Sequence, residues 1–372
     1  MKRIFAAALC ALALVPASFA ASKSSDAIVR LLNSRASGSR SEFKEAAKIV
    51  AADAKEGRPL QQFVIALVAN DSDLPKKLRL TPEKRKEYLD QARDKIRRLA
   101  EEKNNALAWY LLSLEKNDMS FLKRAADGEN VQALNAWGTI TLTNALRSPS
   151  MATNEVERVL VKCFGLFKKA ADAGDANGLY NLGMCYLQGY GCVVDEDLAY
   201  KCFCASAEAG HPESINNVGG FYRDGIVVRA NPEIAAKWFA RSADLGNAYG
   251  MFNYALALQR GEGVEKDAKK AVELLKEASE LGSAEAMNAY GMCYYTGDGV
   301  DKDETEAVKW YRASAARGFA PAMDNLSSCY SLGTGVRKDE KESLAWKVRG
   351  MAARGDRNAA AWLHQNGYRS KQ

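Results

Sequence analysis

The residue types that could do chemistry are few, and their spacing does not suit them to it. The 372 residues hold two histidines, His211 and His364. His211 stands before Pro212 at a helix-start position and reads as a surface cap. His364 has no cysteine or second histidine at metal-ligand spacing. No Gly-x-Ser-x-Gly elbow is present and no Ser-His-Asp constellation can be argued. The richest acidic loop is GDGVDKDETEAVKWY, residues 297–311. Counted from Asp298, a calcium loop would need an oxygen ligand at Val300 and glycine at Asp303, so the template fails. A phosphate loop would need a terminal Gly-Lys-Ser/Thr, which is missing. Cys202 and Cys204 lie two apart on a helix, about 200° around its axis, and point different ways. The expectation is therefore no catalytic residue, no metal site and no cofactor.

Seven of the eight cysteines lie beyond residue 20: Cys163, Cys185, Cys192, Cys202, Cys204, Cys293 and Cys329. Most stand where a small apolar side chain would pack, and cysteine packs as one. Cys163 and Cys185 lie eleven residues either side of Gly174, at matching heights of one helical hairpin. They are the pair expected to form a disulfide where geometry allows.

The elements that would position any site come from a spacing. Glycines fall at 174, 210, 246, 282 and 318, each 36 residues after the last, and Gly355 follows after 37. Asp195, Asn231, Asp267, Asp303 and Asp339 keep the same step, as do Gly189, Gly225, Gly261, Gly297 and Gly333. Tyr186, Tyr222, Tyr294 and Tyr330 hold a fourth register, with Leu258 in the remaining copy. Self-similarity at such a period marks a stacked array. In each copy a first helix, A, ends at the Gly-x-Gly-Val segment. An Asp or Asn caps a second helix, B, and a glycine in left-handed conformation closes it. The acidic loop is thus a turn plus a helix cap. One copy departs: RDGIVVRANPE has Val227 at the second glycine position.

This pattern resembles the Sel1-like repeat, a relative of the tetratricopeptide repeat. Residues 279–315, SELGSAEAMNAYGMCYYTGDGVDKDETEAVKWYRASA, match most of the motif. The resemblance is specific over about 170–355. It implies an all-α fold, a right-handed superhelical solenoid of antiparallel helix pairs. Upstream, AADGENVQALNAWG (125–138) and NNALAWYLLSL fit the pattern loosely, and Thr81-Pro82 opens a long helix. Residues 42–173 are read as degenerate helix pairs, 174–355 as regular 36-residue repeats and 356–372 as a capping helix and tail.

The N-terminus carries an address. MKR, then IFAAALCALALV, then PASFA reads as a secretory signal over residues 1–20, with 21–41 a flexible lead-in. Export to a periplasm or beyond is the expectation, with no membrane insertion after cleavage. Net charge is +6, with 52 basic and 46 acidic residues interleaved, as in Lys76–Arg98. That is a solvated surface rather than a nucleic-acid face.

Asn181, Asn217, Asn253 and Asn325 share one register of helix A, with Ala289 in the remaining copy. Asparagine is a poor helix-interior residue, so a repeated one uses its side chain. An amide offers two donors and an acceptor, which suits the backbone of an extended peptide. In the tetratricopeptide relatives this position faces the groove. Neighbouring registers add Tyr180, Asn216, Tyr249, Phe252 and Asn288, with Arg223, Gln259 and Tyr295 one turn on. The other reading is that these asparagines bond across adjacent helices and serve folding; both can hold. The expected function is a non-enzymatic scaffold that binds a protein or extended peptide in the concave groove. The alternative is an envelope enzyme or ligand-binding protein, since some cysteine-rich relatives are described as β-lactamase-like. No nucleophile in the sequence supports it.

Overall fold

A computed structural model describes residues 31, 40–56, 59–68, 74–148 and 150–366. The signal segment and most of the lead-in and tail lie outside these residues. Leu31, within the lead-in stretch, is helical and fully buried in a core cluster with Ala47 and Phe63. Among the described residues there are helices and no strands. No helix there is long and apolar enough to cross a membrane.

The chain divides into two compact units between Ser214 and Ile215. The first holds α1 (Arg40–Lys55), α2 (Pro59–Leu67), α3 (Pro82–Lys103), α4 (Ala106–Lys116), α5 (Met119–Asp127), α6 (Val131–Arg147), α7 (Thr153–Asp172), α8 (Ala176–Gln188) and α9 (Glu196–Glu208). Each helix packs on the next. Thr81 caps α3, accepting from the Lys84 N–H, and Asn105 caps α4. The second begins within α10 (Pro212–Asp224). It continues with α11 (Pro232–Asp244), α12 (Ala248–Arg260), α13 (Ala268–Glu280), α14 (Ala284–Thr296), α15 (Glu304–Ala315), α16 (Ala320–Leu332), α17 (Glu340–Ala353) and α18 (Arg357–Gln365). From α11 onward, consecutive helices pack in the same serial way. This is the helix-pair solenoid that the repeat predicts.

Each repeated register has a local job. Asp195, Asn231, Asp267, Asp303 and Asp339 all cap a B helix with the side-chain oxygen. Asp303, for one, accepts from the N–H groups of Thr305 and Glu306 at 2.9 Å, so the acidic loop of the sequence uses this carboxylate as a cap. The N–H of each cap residue donates in turn to the carbonyl of Tyr186, Tyr222, Leu258, Tyr294 or Tyr330, at 2.8–3.0 Å. That bond closes the turn between the two registers. Packing adds a small-against-large rule. A Cβ on Gly183, Gly219 or Gly291 would lie within 3 Å of the ring of Phe203, Phe239 or Tyr311. Where helix B instead carries Leu275, helix A carries Ala255, and both are fully buried.

The second loop glycine is the position where conformation and space coincide. Gly263, Gly299 and Gly335 have φ of +70°, +78° and +66°. A Cβ on each would meet a backbone carbonyl oxygen of the preceding B helix at 2.1–2.2 Å. Val227 replaces this glycine and still adopts φ +65°. A β-branched residue there is strained by about 1–2 kcal/mol. Val227→Gly is therefore expected to raise stability by about 1 kcal/mol, net of the glycine's unfolded-state entropy. Urea denaturation checks it, and an unchanged or lower midpoint would remove the strain argument.

Candidate peptide-binding face

The A-helix asparagines are all half-buried. Three of them donate backward to an amide in the preceding helix pair, one register earlier. Asn253 Nδ2 reaches Asn216 Oδ1 at 2.8 Å, and Asn325 Nδ2 reaches Asn288 Oδ1 at 2.8 Å. Asn181 Nδ2 reaches Asn135 Oδ1 at 3.4 Å. Each bond occupies one of two amide hydrogens, leaving half-buried capacity on the second unit's pairs. Folding thus accounts for part of the ladder. Sequence patterning held the clue to the pairing: Asn135, Asn216 and Asn288 precede Asn181, Asn253 and Asn325, whereas Tyr180 and Phe252 stand ahead of Asn217 and Ala289.

In the first unit the network goes fully inside. Asn135 is fully buried and donates to Asp175, which also accepts from the Gly178 N–H at 2.7 Å as the cap of α8. Burial pushes the Asp175 carboxyl up to about 7, against the pull of these two bonds. Its second oxygen, the Tyr110 hydroxyl and the Gln132 carbonyl are buried with no partner. Tyr180 is not a free groove aromatic: its ring stacks on His211 at 4.7 Å between centroids and tilts against Phe203 at 6.0 Å. His211 does cap, accepting from the Ser214 N–H at 3.3 Å, but it is not a surface residue. Its side chain is 11 % exposed and bonds Asn177 Oδ1 at 3.2 Å, and burial lowers its pKa.

In the second unit the remaining candidates divide. Gln259 donates to the Cys293 thiol at 3.1 Å, and Phe252 leans on the core around Leu258 and Leu275. Tyr249 is 54 % exposed. Arg223, Asn253, Tyr295 and Asn325 line pockets. One, of about 200 Å³, lies among Arg223, Phe239, Asn253, Leu256, Arg260 and Glu262. The other, of about 220 Å³, lies among Met292, Tyr295, Asn325, Ser328, Leu332 and Thr334. They are the same pocket two repeats apart: Arg223 and Tyr295, Asn253 and Asn325, Leu256 and Ser328, Arg260 and Leu332, and Glu262 and Thr334 are all 72 residues apart. Arg260, Glu262, Met292 and Leu332 belong to this face, and sequence reasoning missed them. Their registers vary from copy to copy, so no repeat announces them.

The seven cysteines are free thiols. Cys163 and Cys185 share one core cluster with Phe167 and Leu182, but no disulfide joins them. Burial pushes both thiols up, Cys163 to about 11 and Cys185 to about 12, as for inert core cysteines. Among the described residues, no group of three or more His, Cys, Asp or Glu side chains could hold a metal ion.

The Sel1 repeat pattern matches residues 153–175, 176–211, 212–247, 248–283, 284–319 and 320–346, more than half of the chain. The chain belongs to the Sel1 repeat family. Among solved structures it is similar to a Sel1 repeat protein from Oxalobacter formigenes. Identity there is 27%, over 66% of this chain and 96% of that one, with a TM-score of 0.56. It is also similar to c5321, a protective antigen of uropathogenic Escherichia coli with the same repeat fold. That match has 25% identity over 88% of this chain and 68% of that one, with a TM-score of 0.54. A comparison with curated proteins finds no match. Sel1 repeats generally mediate protein–protein interactions, and Sel1 solenoids are generally non-catalytic scaffolds.

Proposed function

We propose that this Sel1 repeat protein is an exported, non-enzymatic scaffold that binds an extended segment of another protein along the A-helix face of its solenoid. The carrying observation is the recurrence of one pocket two repeats apart, each copy holding a half-buried amide that is only partly engaged. Backbone groups of an extended strand would take the remaining amide hydrogens and oxygens, and side chains would enter the pockets. The positively charged start, short apolar run and small-residue end of residues 1–20 support export.

The test is affinity capture. Mature residues 21–372 are immobilised beside a variant with Asn217, Asn253 and Asn325 changed to Ala, both checked for folding by circular dichroism. Each is challenged with an envelope extract of the source cell. A protein retained by the first and lost by the second is the expected result. Equal retention by both would make the amides a folding device and move the search to the N-terminal helices.

A further inference from the structure

The two equivalent pockets differ in one systematic way. Every charged position of the first is uncharged in the second. Arg223 becomes Tyr295, Arg260 becomes Leu332 and Glu262 becomes Thr334. The register that Met292 holds beside the second carries Gly220 two repeats earlier, one turn before Arg223. A Cβ on Gly220 would meet no atom within 4 Å, so the helix face there is open. The first pocket is lined by two cations and one anion, the second by no charged side chain.

The first pocket's cations are held in different ways. Arg223 is fixed: Nε and Nη2 donate to the two oxygens of Asp224 at 2.7 and 2.9 Å, and Nη1 reaches Asn253 Oδ1 at 3.4 Å. Arg260 is 61 % exposed and pairs only loosely with Glu262, at 3.7 Å. A loose exposed pair contributes little, so an incoming carboxylate could displace Glu262 from Arg260 at small cost. It would sit beside Arg223, whose orientation Asp224 has already set. The second pocket offers an apolar wall: Leu332 is 70 % exposed and Met292 39 % exposed, over a floor at Tyr311. Large exposed apolar side chains at the mouth of a pocket mark a contact surface.

From this we infer the partner's chemistry, on the reading that an extended segment binds this face: it carries an acidic side chain for the Arg223–Arg260 pocket and a large aliphatic one for the Met292–Tyr295–Leu332 pocket. Neighbouring A helices at roughly 10 Å place pockets two repeats apart at ~20 Å. An extended chain covers that in about six residues. The intervening repeat, with Ala289 in place of the amide, would carry the linking residues.

The experiment is selection of random displayed peptides of about twelve residues, long enough for that span, on the mature protein and three surface variants. Peptides with Asp or Glu and Leu, Met or Ile about six residues apart are expected to be enriched, in one chain direction. Arg260→Glu should weaken such a peptide at least ~10-fold and shift a fresh selection to Lys or Arg at the acidic position, with the aliphatic preference kept. Leu332→Glu should erase the aliphatic preference alone. Gly220→Trp, whose Cβ meets no atom within 4 Å and which lies one turn before Arg223, should block binding, with folding checked by circular dichroism. Peptides lost on Gly220→Trp but with no acidic preference, or unmoved by Arg260→Glu, would overturn the assigned chemistry and keep the groove. Peptides indifferent to all three variants, or no enrichment at all, would overturn the groove reading with it.

Discussion

The Asp175→Asn variant is expected to be more stable than the parent at pH 8, and the difference should vanish near pH 4. Asp175 is fully buried, and its carboxyl titrates at about 7 instead of 3.8. Between those values the folded state holds a proton that the unfolded state has released. Stability therefore falls as pH rises through that window, by at most about 4 kcal/mol when both states are ionised. Asparagine keeps the cap: Asn247 does this job in a sister repeat, accepting from the Gly250 N–H at 2.8 Å. It removes the charge that the Tyr110 hydroxyl and Asn135 surround. At pH 8 the variant should melt ~10 °C higher, given a few degrees per kcal/mol for a unit of this size. Melting curves for both proteins from pH 4 to 8 check it. Parallel curves would mean that Asp175 stays ionised throughout and that its two bonds outweigh its burial.

The same residue marks the limit of what the sequence could tell. The glycine and cap registers were legible because each does a backbone job that only a few residue types can do. Glycine takes positive φ, and Asp or Asn caps a helix while its N–H closes the preceding turn. Those requirements are local, so they repeat with the chain. Burial of the A-helix cap was not legible, because it depends on the neighbouring pair. Asp175 and Asn247 are buried, and His211 lies under Tyr180 and Asn177, though caps are commonly surface residues. The amide register was visible as a row of asparagines, but its hydrogen bonds run to the residue one register earlier in the previous pair. Asn216 and Asn288 were legible as neighbours on the same face, but Asn135 lies upstream of the regular repeats and keeps no 36-residue step with them. The pockets lay deeper still, since what varies between copies carries their chemistry and a repeat search discards variation. Cys163 and Cys185 fall in one core cluster as free thiols, and sequence spacing carries proximity but not the geometry that a disulfide needs.

Gly263→Ala is expected to cost about 2–5 kcal/mol, against about 1–2 kcal/mol for Gly246→Ala, from the left-handed penalty and the cost of overpacking. The two glycines share the conformational burden, with φ of +70° and +81°. They differ in surroundings. A Cβ at Gly246 meets nothing within 4 Å, whereas one at Gly263 would lie 2.1 Å from the Pro232 carbonyl oxygen. That neighbour is backbone and cannot rotate away, so the loop or the start of α11 must move. Urea denaturation of the two variants separates the effects. Equal losses would show that conformation alone keeps glycine at 263 and that the close approach relaxes without penalty. The position also tests the binding face. Pro232 and Glu262 both line the charged pocket. A shift of that loop should weaken peptides at their acidic position even where Gly263→Ala remains folded, while Gly246→Ala, at an open helix end, should leave their affinity unchanged.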